Sequence, residues 1–327
     1  MPDKKLTAAL MDTGDVYIDP KFEERYRFLL GEKYDDFMEY SLRPLNKAIR
    51  INTLKTDVEY VKSRLSSWDL KPVPWCKEGF WIEAKRHDRF DIGNLIEHSL
   101  GYIYIQDPAS MIPPVVLDPK PGERVLDMCA APGSKTTQIA QYMKNEGVLV
   151  ANDNIPERLK ALEINIRRIG AYNTVVTYMQ GSHLRKIVDD GILFDKILLD
   201  APCSGSGTIR KSYRSIQKYS YNFVRSMSST QKRLISAAFD MLRPGGILVY
   251  STCTIEPEEN EEVISYLIDK NADACVQDIE IGLKRSEPFT SLGDKTYNDD
   301  VTKCVRIFPQ DNDTEGFFVA KIEKVSN

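Results

Sequence analysis

The stretch Arg124-Val125-Leu126-Asp127-Met128-Cys129-Ala130-Ala131-Pro132-Gly133-Ser134-Lys135-Thr136 decides how this chain is read. A short apolar run ends on an acid, passes through small residues and a Pro-Gly turn, and continues into an amphipathic segment. Small residues at such a turn let backbone N–H groups approach a ligand closely. An ordinary strand-to-helix turn has the same outline. A phosphate-cradling loop needs G-x-x-x-x-G-K-[ST]. Here Ser134 stands between Gly133 and Lys135, and no glycine lies five residues before Gly133. The G-x-G-x-x-G dinucleotide fingerprint is absent too.

Outward from this stretch, short apolar runs alternate with amphipathic ones. Residues 124–127, 148–151, 174–177, 196–200 and 247–250 read as strands, and residues 135–144, 156–169, 227–242 and 257–267 as helices. Strands that are apolar throughout and alternate with helices predict a parallel sheet covered on both faces. The expected fold is therefore α/β, a doubly wound Rossmann-like sheet. Arg243-Pro244-Gly245-Gly246 reads as a sharp turn, and residues 316–322 as a late strand, antiparallel at the far side of the sheet. Upstream, residues 22–30 and 33–40 look helical. Residues 48–52 and 80–82 suggest strands around a helix at 58–68. The chain thus divides into a helical segment (1–40), a small α+β module (41–106) and a large α/β domain (107–327).

Ligands of a doubly wound sheet bind at the carboxyl ends of its strands, so the residues there are the candidates. Asp153 follows the second strand, about 20 residues after the first turn, where an acid commonly takes a ribose hydroxyl pair. It can also cap the helix opened by Pro156. A ribose acid without a phosphate loop points to a nucleoside-bearing ligand without phosphates, of which S-adenosylmethionine is the common one. The fourth strand runs into Asp200-Ala201-Pro202-Cys203-Ser204-Gly205 and the fifth into Ser251-Thr252-Cys253-Thr254. A single buried cysteine is usually structural. Two at adjacent strand ends belong on either side of one cleft.

Composition limits the alternatives. Of 327 residues 42% are hydrophobic, enough for a sizeable core. No apolar run is long enough for a membrane span. The polar N-terminus lacks a signal-like apolar stretch, so a cytoplasmic location is the default expectation. Six scattered cysteines without a CxxC pair, and three histidines, argue against a disulfide framework, a zinc ribbon or another metal site. The net charge of -4 argues against a protein that coats nucleic acid by bulk charge. Its distribution is uneven, however. Residues 41–90 carry 11 basic and 6 acidic residues, and residues 201–250 carry 8 and 1. In the second segment Arg210, Lys211, Arg214 and Lys218 are interleaved with tyrosines, the pattern of a nucleic-acid surface. The two basic segments are expected to face one cleft, and the acidic segments 1–40 and 251–327 to face away.

The blocks 127–136, 200–207 and 251–253 resemble those of the RNA cytosine-5 methyltransferases that include the NOL1/NOP2/Sun and Fmu-type enzymes. Residues 104–111, 207–211, 50–55, 306–309 and 316–320 match as well, so the likeness spans roughly residues 43–322. It implies a class I methyltransferase fold and S-adenosylmethionine as methyl donor. It implies RNA as substrate, tRNA ahead of rRNA, acted on by a monomer without metal. Cytosine C5 is a poor nucleophile until a thiolate adds across C5=C6, and this calls for covalent catalysis. The resemblance makes Cys253 the nucleophile, with Cys203 assisting release, Asp200 at the N3/N4 edge of the ring, and Lys135 activating the thiol. Cys129, Ala130, Ala131, Pro132, Gly133, Ser134 and Lys135 would line the methionine part of the cofactor, with Asp200 beside them. Asp153 and Arg158 would face the ribose and adenosine. Gln180 stands where the family usually has an acid near the adenine amine. Arg50, Asn52, Arg210 and Lys211 are expected to contact RNA. A DNA methyltransferase and a catalytically silent RNA-binding or ribosome-assembly factor are the alternatives, and the pairing of Cys253 with Cys203 disfavours both.

Overall fold

A computed structural model describes residues 16–85, 91–186 and 191–325. Residues 1–15 of the expected helical segment and 86–90 of the small module lie outside the described residues. The large domain is built on the sheet β5 (Arg124–Asp127), β6 (Val148–Asp153), β7 (Thr174–Tyr178), β8 (Phe194–Asp200) and β9 (Leu242–Thr252), joined by β10 (Ala274–Gln277), β13 (Val305–Ile307) and β14 (Phe317–Lys324). Its order is β10-β14-β9-β8-β5-β6-β7, with β13 also on β14. The five central strands are parallel; β14 runs antiparallel beside β9, with β10 and β13 outside it. The late strand is thus antiparallel, as read, but lies inside the sheet rather than at its edge.

Alternation along the strands feeds two cores. Leu126, Ile197, Leu199, Leu248 and Tyr250 point to one face. Helices α8 (Tyr221–Asp240) and α9 (Glu261–Lys270) cover it with Leu234, Ile235, Val263 and Ile264. Val125, Leu149, Leu198 and Val249 point to the other face, against α5 (Ile112–Leu117) and α6 (Ser134–Tyr142). Each such side chain contributes roughly 1.5–3 kcal/mol when fully buried. Helix α7 (Pro156–Ile169) follows β6 and ends at Gly170, whose φ of +83° suits a left-handed cap. Arg243–Gly246 is not a turn between elements. It is a bulge within β9, where the β8 pairing jumps from Leu242 to Ile247.

The small module is an antiparallel sheet, β2 (Trp68–Val73), β3 (Cys76–Ala84), β1 (Ala48–Ile51) and β4 (Ile103–Ile105), in that order. Helix α3 (Val58–Arg64) and the short α4 (Ile96–Ser99) accompany it. Upstream, α1 (Pro20–Leu30) and α2 (Tyr34–Leu42) bury Phe22, Tyr26 and Phe37 against Ile209, Ile216, Ile255 and Phe308 of the large domain.

The structure corrects two expectations about charge. Arg50 and Asn52 are wholly buried. Arg50 donates to Gln106 Oε1 (2.6 Å), the Ser134 carbonyl (2.8 Å) and Thr137 Oγ1 (2.9 Å), and Asn52 to the carbonyls of Gly101 and Ile169 (both 2.8 Å). With these donors turned inward, the two residues tie the small module to α6 and α7 instead of facing RNA. Arg210 is likewise buried, bonded to the carbonyls of Arg43, Pro44 and Thr314 and paired with Asp313 at 2.7 Å. The acids of the last segment face outward only in part, for Asp269, Asp278, Glu280, Glu287, Asp294 and Asp299 are exposed while others are not. Glu256, Glu258, Glu259 and Glu261 are buried, held by partners such as Arg25 and Arg306.

Candidate active site

The strand order reverses between β5 and β8, so their carboxyl ends splay apart and leave a crevice. A cleft of about 350 Å³ lies there, walled by Asp127, residues 129–132, Ser134, Lys135, Asp200, Lys211, Cys253, Glu315 and Phe317. Asp127 ends β5 in the interior. Its Oδ2 accepts from Thr136 Oγ1 at 2.6 Å, while its Oδ1 is buried without a protein partner. Burial pushes its carboxyl up to about 7. Gly133 has φ +103°, and a Cβ there would press on Leu162 at 3.0 Å, so the turn into α6 calls for glycine.

Lys135, in the first turn of α6, is 8% exposed, and its ammonium donates to Asp200 Oδ2 at 2.7 Å. Ser251 Oγ donates to Asp200 Oδ1 at 2.7 Å. Asp200 is therefore fixed from both sides at the base of the cleft. Asp153 ends β6 as an almost wholly buried carboxylate; its oxygens accept the N–H groups of Ala131 (3.1 Å) and Ile155 (3.0 Å), and Arg158 lies 3.5 Å away. Arg158 also donates to the Ala131 carbonyl and reaches the cleft wall. Gln180 is exposed past β7, where its Oε1 accepts from Asn154 at 3.3 Å. Neither Asp153 nor Gln180 forms part of the cleft wall itself.

The two cysteines are brought together. Cys203 Sγ and Cys253 Sγ lie 3.3 Å apart, with Cys253 in the cleft wall and Cys203 behind it. Their contact, together with burial, pushes the Cys203 thiol well above its usual range. Cys203 therefore keeps its proton at neutral pH and can donate it toward the Cys253 sulfur. The cation near Cys253 is Lys211 as well as Lys135. Burial works against the Lys211 charge, but Glu315 and Asp107 more than offset it and hold the ammonium above its ordinary value, with Cys253 adding in the same direction. Its Nζ donates to Glu315 at 2.8 Å. Burial raises the Glu315 carboxyl to about 7.

What fixes the cysteine pair is a hydroxyl cluster whose role the sequence does not reveal. Thr254 Oγ1, wholly buried, exchanges hydrogen bonds with Ser204 Oγ (2.9 Å) and Ser206 Oγ (2.7 Å), both on the Cys203 loop. Glu259 accepts from the Ser204 N–H (3.0 Å), Gln231 (2.8 Å) and Thr254 (3.3 Å). Burial lifts its carboxyl to about 7. Gly207 N–H donates to the Cys253 carbonyl at 3.0 Å, and a Cβ on Gly207 would stand 2.4 Å from the Gly316 carbonyl oxygen. The signal for these roles lay only in side-chain types beside the cysteines. Nothing local in the sequence tells Asp107, Glu315 and Glu259, which are buried acids, from solvated ones.

The donor set fits S-adenosylmethionine. The Asp200 carboxylate offers negative charge for a sulfonium, the orphaned Asp127 oxygen leaves a polar partner open in the cleft wall, the 129–134 turn brings backbone close, and Asp153 holds the position of a ribose acid. The order of the sheet and this crevice define a class I methyltransferase dependent on S-adenosylmethionine. The model for the 16S rRNA methyltransferase RsmB/F family matches residues 114–323, and that for the N-terminal domain of 16S rRNA methyltransferase RsmF matches residues 18–108. The chain belongs to the RsmB/F family of RNA cytosine-5 methyltransferases. It is 48% identical over 311 residues to a tRNA (cytosine(49)-C(5))-methyltransferase of Pyrococcus abyssi, covering 94% of this chain and 96% of that one. It is 44% identical to ribosomal RNA small subunit methyltransferase F of Aliivibrio fischeri, over 90% of this chain but 61% of that protein. A crystal structure of a methyltransferase homolog protein from Pyrococcus horikoshii superposes with a TM-score of 0.83 at 39% identity, covering 95% of this chain and 96% of that one.

Proposed function

We propose that the chain methylates C5 of a cytosine in tRNA through a covalent bond between Cys253 Sγ and C6 of the base. The observation that carries this reading is the paired thiols, with Cys253 in the cleft wall and a proton-bearing Cys203 at 3.3 Å behind it. Addition of Cys253 to C6 makes C5 electron-rich. Asp200, held by Lys135 and Ser251, faces the position where the N3/N4 edge of the ring would sit and stabilises the adduct there. S-adenosylmethionine, when bound, supplies an electrophilic methyl group; Cys129 to Lys135 would hold its methionine part, and Asp153, Arg158 and Gln180 its ribose and adenine. After methylation a water molecule takes the C5 proton, the C5–H electron pair re-forms C5=C6, and Cys253 departs from C6 as a thiolate. The Cys203 S–H stabilises the departing sulfur by donating to it, which is its part in release.

The choice of tRNA is supported by the Pyrococcus abyssi relative, which is named for a tRNA cytosine and which this chain matches over almost its full length. A monomeric enzyme acting in the cytoplasm belongs to this reading. Among the described residues no helix is long and apolar enough to cross a membrane. Lys211 is the one residue of the four expected at RNA that keeps both exposure and a place in the cleft wall. The test is methyl transfer to unmodified tRNA and to 16S rRNA, with bisulfite sequencing of both. Methylation confined to a tRNA cytosine is expected. Methylation of 16S rRNA alone would overturn the choice of substrate.

A further inference from the structure

A second groove, of about 450 Å³, opens between α1, the first turns of α8, and the hairpin of β11 (Ser291–Leu292) and β12 (Lys295–Thr296). Two of its aromatic side chains are left open to solvent, Phe28 at 67% and Tyr221 at 43% exposure, and Phe223 on the same helical turn is 49% exposed. The Arg25 guanidinium lies over the Tyr221 ring, 5.3 Å from its centre, and is itself anchored to Glu258 at 2.6 Å. Glu262 holds two ammoniums at once, Lys232 at 2.6 Å and Lys295 at 2.7 Å. Arg225 is exposed and has no carboxylate partner among the described residues. The groove therefore carries four cations against two acids, and residues 201–239 of the chain contain no acid at all.

Position adds to composition. Glu258, in the groove wall, is five residues from Cys253. At no more than about 3.6 Å per residue, the two Cα atoms lie within ~18 Å. A cytosine that enters the cleft must leave its stack, and its neighbours lose a stacking partner with it. An open aromatic ring beside an unpaired guanidinium, that of Arg225, and two ammoniums that share one carboxylate suits an unstacked nucleotide. Neither catalysis nor cofactor binding uses any of these residues.

We propose that this groove binds a nucleotide flanking the target cytosine, its base stacked on Tyr221 and its phosphates paired with Arg225 and Lys295. The proposal rests on the chain acting on RNA, as its family does, but not on the covalent step. A peptide partner fits the groove less well, because the surplus charge and the open ring match a polyanion with planar bases. Binding of a tRNA transcript should be measured across a salt series for the parent, Tyr221→Ala, Tyr221→Phe, and the Arg225→Gln/Lys295→Gln double variant. S-adenosylmethionine affinity and the urea midpoint serve as controls for an intact fold. Tyr221→Ala is expected to weaken RNA binding about 10-fold, and Tyr221→Phe to restore it. The double variant should lower the slope of log affinity against log salt by about 1.4, or 0.7 for each phosphate contact to single-stranded RNA. Parental affinity and slope in all variants would overturn the proposal, as would equal losses in Tyr221→Phe and Tyr221→Ala. If the parent binds 16S rRNA fragments rather than tRNA, the same variants read on those fragments decide it, so an error about the substrate stays distinct from an error about the groove.

Discussion

Thr254→Val isolates the clamp on the two cysteines, because valine keeps the shape of threonine and removes only its hydroxyl. The lost partners are Ser204 and Ser206, at 2.9 and 2.7 Å, with weaker contacts to the Glu256 N–H and Glu259, both at 3.3 Å. Ser206 Oγ still accepts the Ile255 N–H, and Glu259 keeps Ser204 N–H and Gln231. One hydroxyl, that of Ser204, loses its only described side-chain partner. A buried unsatisfied group costs about 1–3 kcal/mol, and because Ser204 is only half-buried the variant should lose about 1 kcal/mol of stability. The catalytic effect should be larger. The cysteine loops are cross-linked through this oxygen, and a displacement of about 1 Å at reacting groups costs roughly 100-fold in rate. Single-turnover methyl transfer, with urea unfolding alongside, measures both. Thr254→Ser keeps the hydroxyl and should retain most of the rate while losing about 1 kcal/mol for the missing methyl. A Thr254→Val protein that is destabilised as expected yet turns over at the parental rate would refute the clamp.

Arg50→Ala should lower the urea midpoint, with a loss of about 2–4 kcal/mol from the abandoned acceptors and the cavity. RNA affinity per folded molecule should not change; an affinity loss with parental stability contradicts the structural role. Gly207→Ala should abolish turnover while the protein still folds, because its Cβ would stand 2.4 Å from a backbone oxygen next to the Cys253 loop; normal activity would show that this close approach is not needed. Glu259 has its carboxyl raised by burial from 4.5 to about 7. The folded state therefore binds more protons than the unfolded one between those values, and stability falls as pH rises from about 4.5 to 7, by at most about 3 kcal/mol for this group. Glu259→Gln should flatten that fall in denaturation measured across the pH range, and an unchanged slope would place the charge elsewhere.

The catalytic sheet was legible because its strands are apolar on both faces and end on chemically distinctive residues. Asp127, Asp153, Asp200 and Cys253 all fall at predicted strand ends. β2 was missed because Trp68 to Val73 alternates weakly and contains Pro72, which is tolerated here because β2 is an edge strand. The Arg243–Gly246 segment carries turn residues, and turn chemistry serves equally for a bulge inside a strand. Arg50 and Arg210 were placed at RNA because charge was read as exposure. Their terminal guanidinium nitrogens instead donate to carbonyls and hydroxyls contributed from segments distant in sequence, which no local pattern foretells. The same holds for Glu259 and Glu315, whose burial is set by packing between loops more than 50 residues apart.

The central claim is that Cys253 attacks the base and Cys203 frees it. The most direct measurement is the mass of the RNA–protein complex that survives denaturation, for Cys203→Ala, Cys253→Ala and the double variant, each incubated with tRNA and S-adenosylmethionine. A covalent complex should accumulate in Cys203→Ala, with the RNA mapped to the peptide containing residue 253, and should be absent from the other two. A complex that persists without Cys253, or methyl transfer by Cys253→Ala, would contradict the account.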